Sequence, residues 1–174
     1  MIMEKKEYIV VAFVNNQISV LNRITSAYLK RHINIESLNV SESYIKGISM
    51  VVISAITSKD TTERIVNQLN NNIDILNVNF FLQEELIYKE MALYKISPEF
   101  IKDSIFFNHF LNRLNGKIIE INDGYIIAEK SGSKAELDSL KMSLERKKLL
   151  ISYARSGNVV LQREPIEGLM QKVS

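Results

Sequence analysis

The chain of 174 residues predicts an α+β protein built from two tandem ferredoxin-like βαββαβ units. Three observations carry this expectation. Apolar residues alternate between the period of a strand and the period of a helix in the order βαββαβ, and the order then repeats without the sequence repeating. Asn122-Asp123-Gly124 marks a hairpin at the matching point of the second series. With only two prolines and six glycines, no long disordered linker separates the units.

Residues 8–14 (YIVVAFV) open the first unit as a buried strand, rich in β-branched and aromatic side chains. Val20, Leu21, Ile24, Ala27 and Tyr28 then fall on one face of a helix that runs to about His32. Residues 33–40 (INIESLNV) carry an imperfect strand pattern, and Gly47 precedes a second extended run over 48–56. Residues 58–72 supply capping side chains, then Ile65, Val66 and Leu69 at helical spacing, then asparagines suited to a left-handed helix end. Residues 73–82 give the fourth strand.

The second unit starts with a strand over 86–96, and Pro98 sits where a helix can begin. Phe107, Phe110, Leu111 and Leu114 form one helical face, with Gly116 as its stop. Segments 117–121 and 125–130 flank the hairpin turn. Ser133 and Glu136 make a capping box ahead of Leu137, Leu140 and Leu144. Residues 149–164 close the series as one strand. The expected domains are therefore 7–83 and 86–174, joined near Gln83 to Leu86. A ferredoxin-like unit leaves one sheet face bare and one edge unpaired, and each unit here is small, which predicts a homodimer.

Composition narrows the function classes. An apolar content of 46% with 24% charged residues belongs to a chain that buries a core. The absence of cysteine excludes disulfides, thiolate nucleophiles and Cys-based metal sites. A formal charge of +2 is too small to imply nucleic acid, and the basic run Arg146, Lys147 and Lys148 beside Glu145 reads as a solvated helix end. The opening MIMEKKEYIVVAFV lacks the form of a signal peptide, and no run reaches the ~18 apolar residues of a membrane span. A cytoplasmic protein is expected. There is no Walker loop, dinucleotide GxGxxG, HExxH or GxSxG. His32 and His109 read as structural or surface residues, and Glu84 and Glu85 as strand neighbours pointing apart. Neither a catalytic residue nor a metal site is expected.

The loop between the first strand and first helix is the candidate site. Helix N-termini present unpaired N–H groups and partial positive charge, which suit a carboxylate. Asn16 could donate or accept hydrogen bonds beside them and so help hold an amino acid zwitterion. Residue types alone favour a plainer reading, in which Ser19 caps its own helix and Asn15 and Asn16 only make the turn.

The stretch VNNQISVLNRITSAYLKRHINIESLNV, residues 14–40, resembles the start of an ACT domain, specifically that of the small regulatory subunit of acetolactate synthase. That family has a loop of the form Asn-x-x-Gly-x-Leu-x-Arg followed by NIESL. The match falls on Asn16, Leu21 and Arg23, then on Asn34, Ile35, Glu36, Ser37 and Leu38. It continues through LIYKEMALYKI, GKIIEI, SGSKAELDSL and YARSG, nearly the whole chain. The resemblance implies a non-catalytic partner of a large subunit that joins two pyruvates, or pyruvate and 2-oxobutyrate, in branched-chain amino acid synthesis. It implies no cofactor in this chain, with thiamine diphosphate, magnesium and FAD held by the large subunit. It also implies an ACT homodimer with an effector, typically valine, at the dimer interface. Carried over, the effector residues are Asn16, Ser19, Val20, Leu21, Asn34 and Ile35.

Ser19 stands where the family has glycine. A left-handed serine would be strained and a capping serine would consume the N–H groups a carboxylate needs, so a weakened or altered valine response is expected. Two other classes compete with this reading. A free-standing ACT-type amino acid sensor is opposed by the match of the second half. A ferredoxin-like RNA binder is opposed by strands that lack the aromatic and basic pattern of such proteins.

Overall fold

A computed structural model describes residues 4–112 and 114–163. Its architecture is α+β, with two antiparallel sheets. In the first unit the elements are β1 (Lys6–Asn15), α1 (Ile18–Leu29), β2 (Ser37–Glu42), β3 (Ile48–Thr57), α2 (Lys59–Asn70) and β4 (Ile75–Phe81), and the strand order is β2-β3-β1-β4. A 3-10 turn at Gln83–Glu85 leads into β5 (Leu86–Ile96). Then follow α3 (Glu99–Lys102), α4 (Ser104–Asn112), β6 (Lys117–Ile121), β7 (Ile126–Gly132), α5 (Lys134–Arg146), β8 (Leu150–Arg155) and β9 (Val159–Gln162). The second sheet runs β6-β7-β5-β8, and β9 also pairs with β5. Among the described residues no helix is long and apolar enough to cross a membrane.

Alternation along β1 sends Val10, Ala12 and Val14 to one face, where they pack with Val51, Ile53 and Ala55 of β3 beneath Ile24 of α1 and Ile65 of α2. The expected bare face of this sheet is not bare. Ile9, Val11, Phe13 and Val52 are buried there against Leu86 and Val160. Residues 158–163 accordingly group with the first compact unit, while Lys89–Gly157 form the second. The single closing strand expected over 149–164 is broken for the same reason. Gly157 turns the chain at φ +78, after which Val160 enters the apolar layer. At the break Ser156 donates its N–H to the Met91 carbonyl at 2.9 Å and accepts the Met91 N–H on Oγ at 3.0 Å.

In the second unit, Ala92, Tyr94 and Ile96 of β5 pack with Ile126 and Ala128 of β7 under Leu137, Leu140 and Leu144 of α5. The capping box forms as its sequence predicts. Ser133 Oγ accepts the Glu136 N–H, and the Glu136 carboxylate accepts the Ser133 N–H at 2.7 Å. These bonds hold the Glu136 carboxyl below its ordinary range. The helix after Pro98 is two helices, split at Asp103. Its carboxylate caps α4 by accepting the Phe106 N–H at 3.1 Å and pairs with Lys147 Nζ at 2.6 Å. Gly116 serves by its small size: a Cβ there would lie 2.1 Å from the Phe110 ring. Within the hairpin, Asn122 Oδ1 accepts the N–H groups of Gly124 and Tyr125 at 3.0 and 2.9 Å, so an Asx turn makes the reversal.

Helix ends depart from expectation in an orderly way. Helix α1 stops at Leu29, because His32 takes the left-handed conformation at φ +54 and Ile33 donates back to the Tyr28 carbonyl at 3.2 Å. Lys148 ends α5 in the same way, at φ +56, with Leu149 bonded to Leu144 O at 2.9 Å. The asparagines after α2 do not go left-handed, since Asn71 has φ −79. Glu84 and Glu85 lie in the 3-10 turn rather than in a strand, and Glu85 Oε2 accepts the Leu82 N–H at 2.6 Å.

Arg155, within the YARSG motif, has a structural partner. Its Nε lies 2.8 Å from Glu90 Oε2, and the Glu90 side chain is only 2% exposed. Asp138 approaches Arg155 Nη1 at 3.4 Å from the other side. Replacing Arg155 by alanine strands a buried carboxylate. Arg155→Ala is expected to lower unfolding free energy by about 3 kcal/mol, read by urea denaturation.

A left-handed non-glycine residue costs the fold, and among the described residues the exposed His32 has no side-chain hydrogen bond or ion pair to offset it. His32→Gly is expected to raise stability by about 0.5–1 kcal/mol, the relief of strain less the added freedom of the unfolded chain. The midpoint of the same urea transition checks it. A decrease would show that the imidazole is held by a contact of its own.

Candidate functional site

The chain leaves β1 through Asn15, Asn16 and Gln17, and every backbone N–H of that loop is held. Asn15 donates to the Asp74 carbonyl at 3.0 Å, Asn16 to the Gly47 carbonyl at 3.2 Å, and Gln17 to the Asn15 carbonyl at 2.7 Å in a three-residue turn. Gly47 reaches this position with φ +82, a conformation that a side chain would strain. Asp74 is fixed in turn by Arg23, whose Nη1 lies 2.6 Å from Asp74 Oδ2 and 3.1 Å from Asn72 Oδ1. The clamp leaves the Asn16 side chain exposed to solvent.

Helix α1 then starts without a side-chain cap. Gln17 occupies the N-cap position with φ −124, and its side chain makes no capping bond. Ser19 is the second helical residue, in the ordinary right-handed conformation. Both objections drawn from Ser19 therefore fall: it neither caps the helix nor bears left-handed strain. By helix geometry the N–H groups of Ile18 and Ser19 have no intrahelical acceptor, so two backbone donors and the positive end of the dipole face outward.

The expected donors shift accordingly. Val20 gives its N–H to the Gln17 carbonyl at 3.2 Å and buries its side chain in the core at 1% exposure. It offers a ligand neither group. Ile18, by contrast, has its side chain fully exposed at the helix start. Leu21 is part-exposed on the same helix.

Asn34 and Ile35 lie elsewhere. Asn34 is exposed and donates from Nδ2 to Glu36 Oε1 at 3.2 Å, while Ile35 packs half-buried against the core. Two rulers measure their separation from Asn16. Helix α1 has 12 residues, a length of about 18 Å. Along the sheet, Asn15 pairs with Ile48, whereas Ser54, opposite Ile9, pairs with Ser37; six residues of strand span roughly 20 Å. One copy of the chain thus keeps Asn16, Ser19 and Leu21 near the start of α1 and sets Asn34 and Ile35 beyond its other end. Leu38 and Val40 of the edge strand β2 and Leu29 of α1 are exposed.

Residue types did not single out Gly47, Asn72 or Asp74, which hold the loop. Their signals were a glycine ahead of a strand and the run Asn70–Asp74, both readable only as turns. Among the described residues no three His, Asp or Glu side chains gather as a metal site.

Both units match known protein families. Residues 11–77 match the AHAS small subunit-like ACT domain, and residues 89–164 match the family described as small subunit of acetolactate synthase. The acetolactate synthase small subunit of Bacillus subtilis is 27% identical over 168 residues, covering 95% of this chain and 94% of that protein. The isozyme 3 small subunit of Escherichia coli is 27% identical over 151 residues, covering 86% and 91%. The crystal structure of the acetolactate synthase small subunit from Thermotoga maritima superposes with a TM-score of 0.79 at 28% identity, over 92% of this chain and 99% of that one. With both units matched in the order the family requires, the chain belongs to the acetolactate synthase small subunits.

Proposed function

We propose that this chain is the non-catalytic regulatory subunit of an acetolactate synthase, raising the activity of a thiamine-diphosphate-dependent large subunit and binding valine between two copies of itself. Thiamine diphosphate, magnesium and FAD belong, in this reading, to the large subunit. One observation supports the composite site above all others: Asn16 and Asn34 lie beyond opposite ends of α1, about 20 Å apart along the strand direction. A single amino acid cannot touch both within one chain. A two-fold axis that sets two copies side by side, their first helices running in opposite directions, would bring Asn16 against Asn34 of the partner subunit twice per dimer.

The chemistry of each end suits its half of an amino acid. The free N–H groups of Ile18 and Ser19, with the helix dipole behind them, take the carboxylate. The side-chain carbonyls of Asn16 and of Asn34 of the partner subunit accept from the α-ammonium group. Ile18 and Ile35 of the partner subunit meet an aliphatic side chain. Burying Leu38 and Val40 stabilises the same pairing.

Two measurements test this reading. Acetolactate formation is expected to be absent with this chain alone and to rise when it is titrated into its cognate large subunit; a flat titration to saturation removes the regulatory role. For the site, Asn16→Ala and Asn34→Ala should each abolish valine binding by calorimetry. Subunits of the two variants mixed and allowed to exchange should regain about a quarter of the wild-type sites, one intact site in each of the half of dimers that are mixed. No recovery would mean that both residues act within one chain. Because Ser19 is helical and uncapped, Ser19→Gly should alter valine affinity by less than about threefold, under 1 kcal/mol.

A further inference from the structure

The second unit holds a cleft of about 500 Å³ between β7, α5 and the end of α4. Its charge is unbalanced. Lys130 stands in β7 with the residue only 6% exposed, yet among the described residues its ammonium group has a single acceptor, the neutral carbonyl of Leu114 at 2.6 Å. An ammonium carries three donors, and a buried charge without a counter-charge is costly. Among the described residues no carboxylate comes within ion-pair distance of it. Lys89 of β5 lines the same cleft, as does the imidazole of His109.

The one carboxylate on the cleft wall is already committed. Glu136 Oε2 accepts both the N–H and the Oγ–H of Ser133, at 2.7 and 2.9 Å, to close the capping box. Lys130 and Lys89 both act on this carboxyl through space, after the Ser133 bonds, in holding it below its usual range. Two ammonium groups therefore share the field of one carboxylate that pairs with neither. The remaining walls are mixed. Ser139 presents a hydroxyl-bearing side chain, and Phe106 and Leu140 supply apolar surface.

We infer that this cleft binds a small organic anion, its carboxylate or phosphate group held between the Lys130 and Lys89 ammonium groups and its carbon skeleton against Phe106 and Leu140. The cleft exceeds what an inorganic ion fills, and its apolar wall suits the rest of a compact metabolite. It lies in the second unit, on residues that take no part in the valine site, so neither proposal stands or falls with the other.

The full-length protein, labelled with nitrogen-15, is titrated with sodium phosphate and with sodium acetate, each against sodium chloride at equal ionic strength. The expected result is a saturable shift of the Gly132 and Ala135 amides with one or both anions and none with chloride. The tighter of the two names the head group. Lys89→Gln, at an exposed position, should weaken that binding by about tenfold or more, the loss of one charge-assisted contact. Lys130→Met should abolish it, and if that variant does not fold, Lys89→Gln decides alone. Shifts that stay linear, that chloride reproduces, or that persist unchanged in Lys89→Gln overturn the assignment.

Discussion

Seven consecutive residues of β1, from Tyr8 to Val14, are closed off from water, and a strand buried on both faces demands an apolar layer on each side. Helices α1 and α2 provide one layer, through Ile24, Ala27 and Ile65. The other needs Leu86, at the start of β5, and Val160, which comes back from β9. The break at Gly157 and the pairing of β9 with β5 follow from that demand, since a strand continuing straight from Arg155 would leave Val11 and Phe13 without Val160.

The same constraint shapes the candidate site. A strand fixed by packing along its whole length must release the chain at a defined point, and Asn15 to Gln17 is that point. Hydrogen bonds to Gly47 and Asp74 absorb the backbone donors of the loop, and the Arg23–Asp74 ion pair holds the acceptor in place. The free polar groups at this end are then the Asn16 amide and the first N–H groups of α1. Rigid support behind a few unclaimed donors is what a site for a small zwitterion requires. The arginines of the two family motifs share this supporting character: Arg23 fixes the loop through Asp74, and Arg155 neutralises the buried Glu90.

Ser19 shows how a correct resemblance can carry an incorrect physical argument. Glycine at a loop position suggests left-handed backbone, so serine there suggested strain or a cap. The helix begins two residues earlier than that picture assumes, with Gln17 rather than Ser19 at the N-cap. Serine in a first helical turn is unstrained, and its Cβ faces solvent.

Periodicity and local chemistry were enough to establish the βαββαβ order of the first unit, the α+β class, the Ser133 cap and the hairpin at Asn122. Each depends on contacts within a few residues, and these the sequence carries directly. Residues 14–40 and the later motifs likewise carry the family resemblance in the sequence itself. Tertiary structure alone decided which face of β1 receives Val160, where α1 stops, and how far Asn34 stands from Asn16. Those depend on partners up to about 150 positions away along the chain, and on a left-handed turn at His32. The distance between the two asparagines is the clearest case: 18 positions apart in sequence, they are carried beyond opposite ends of α1, which runs back antiparallel to β1.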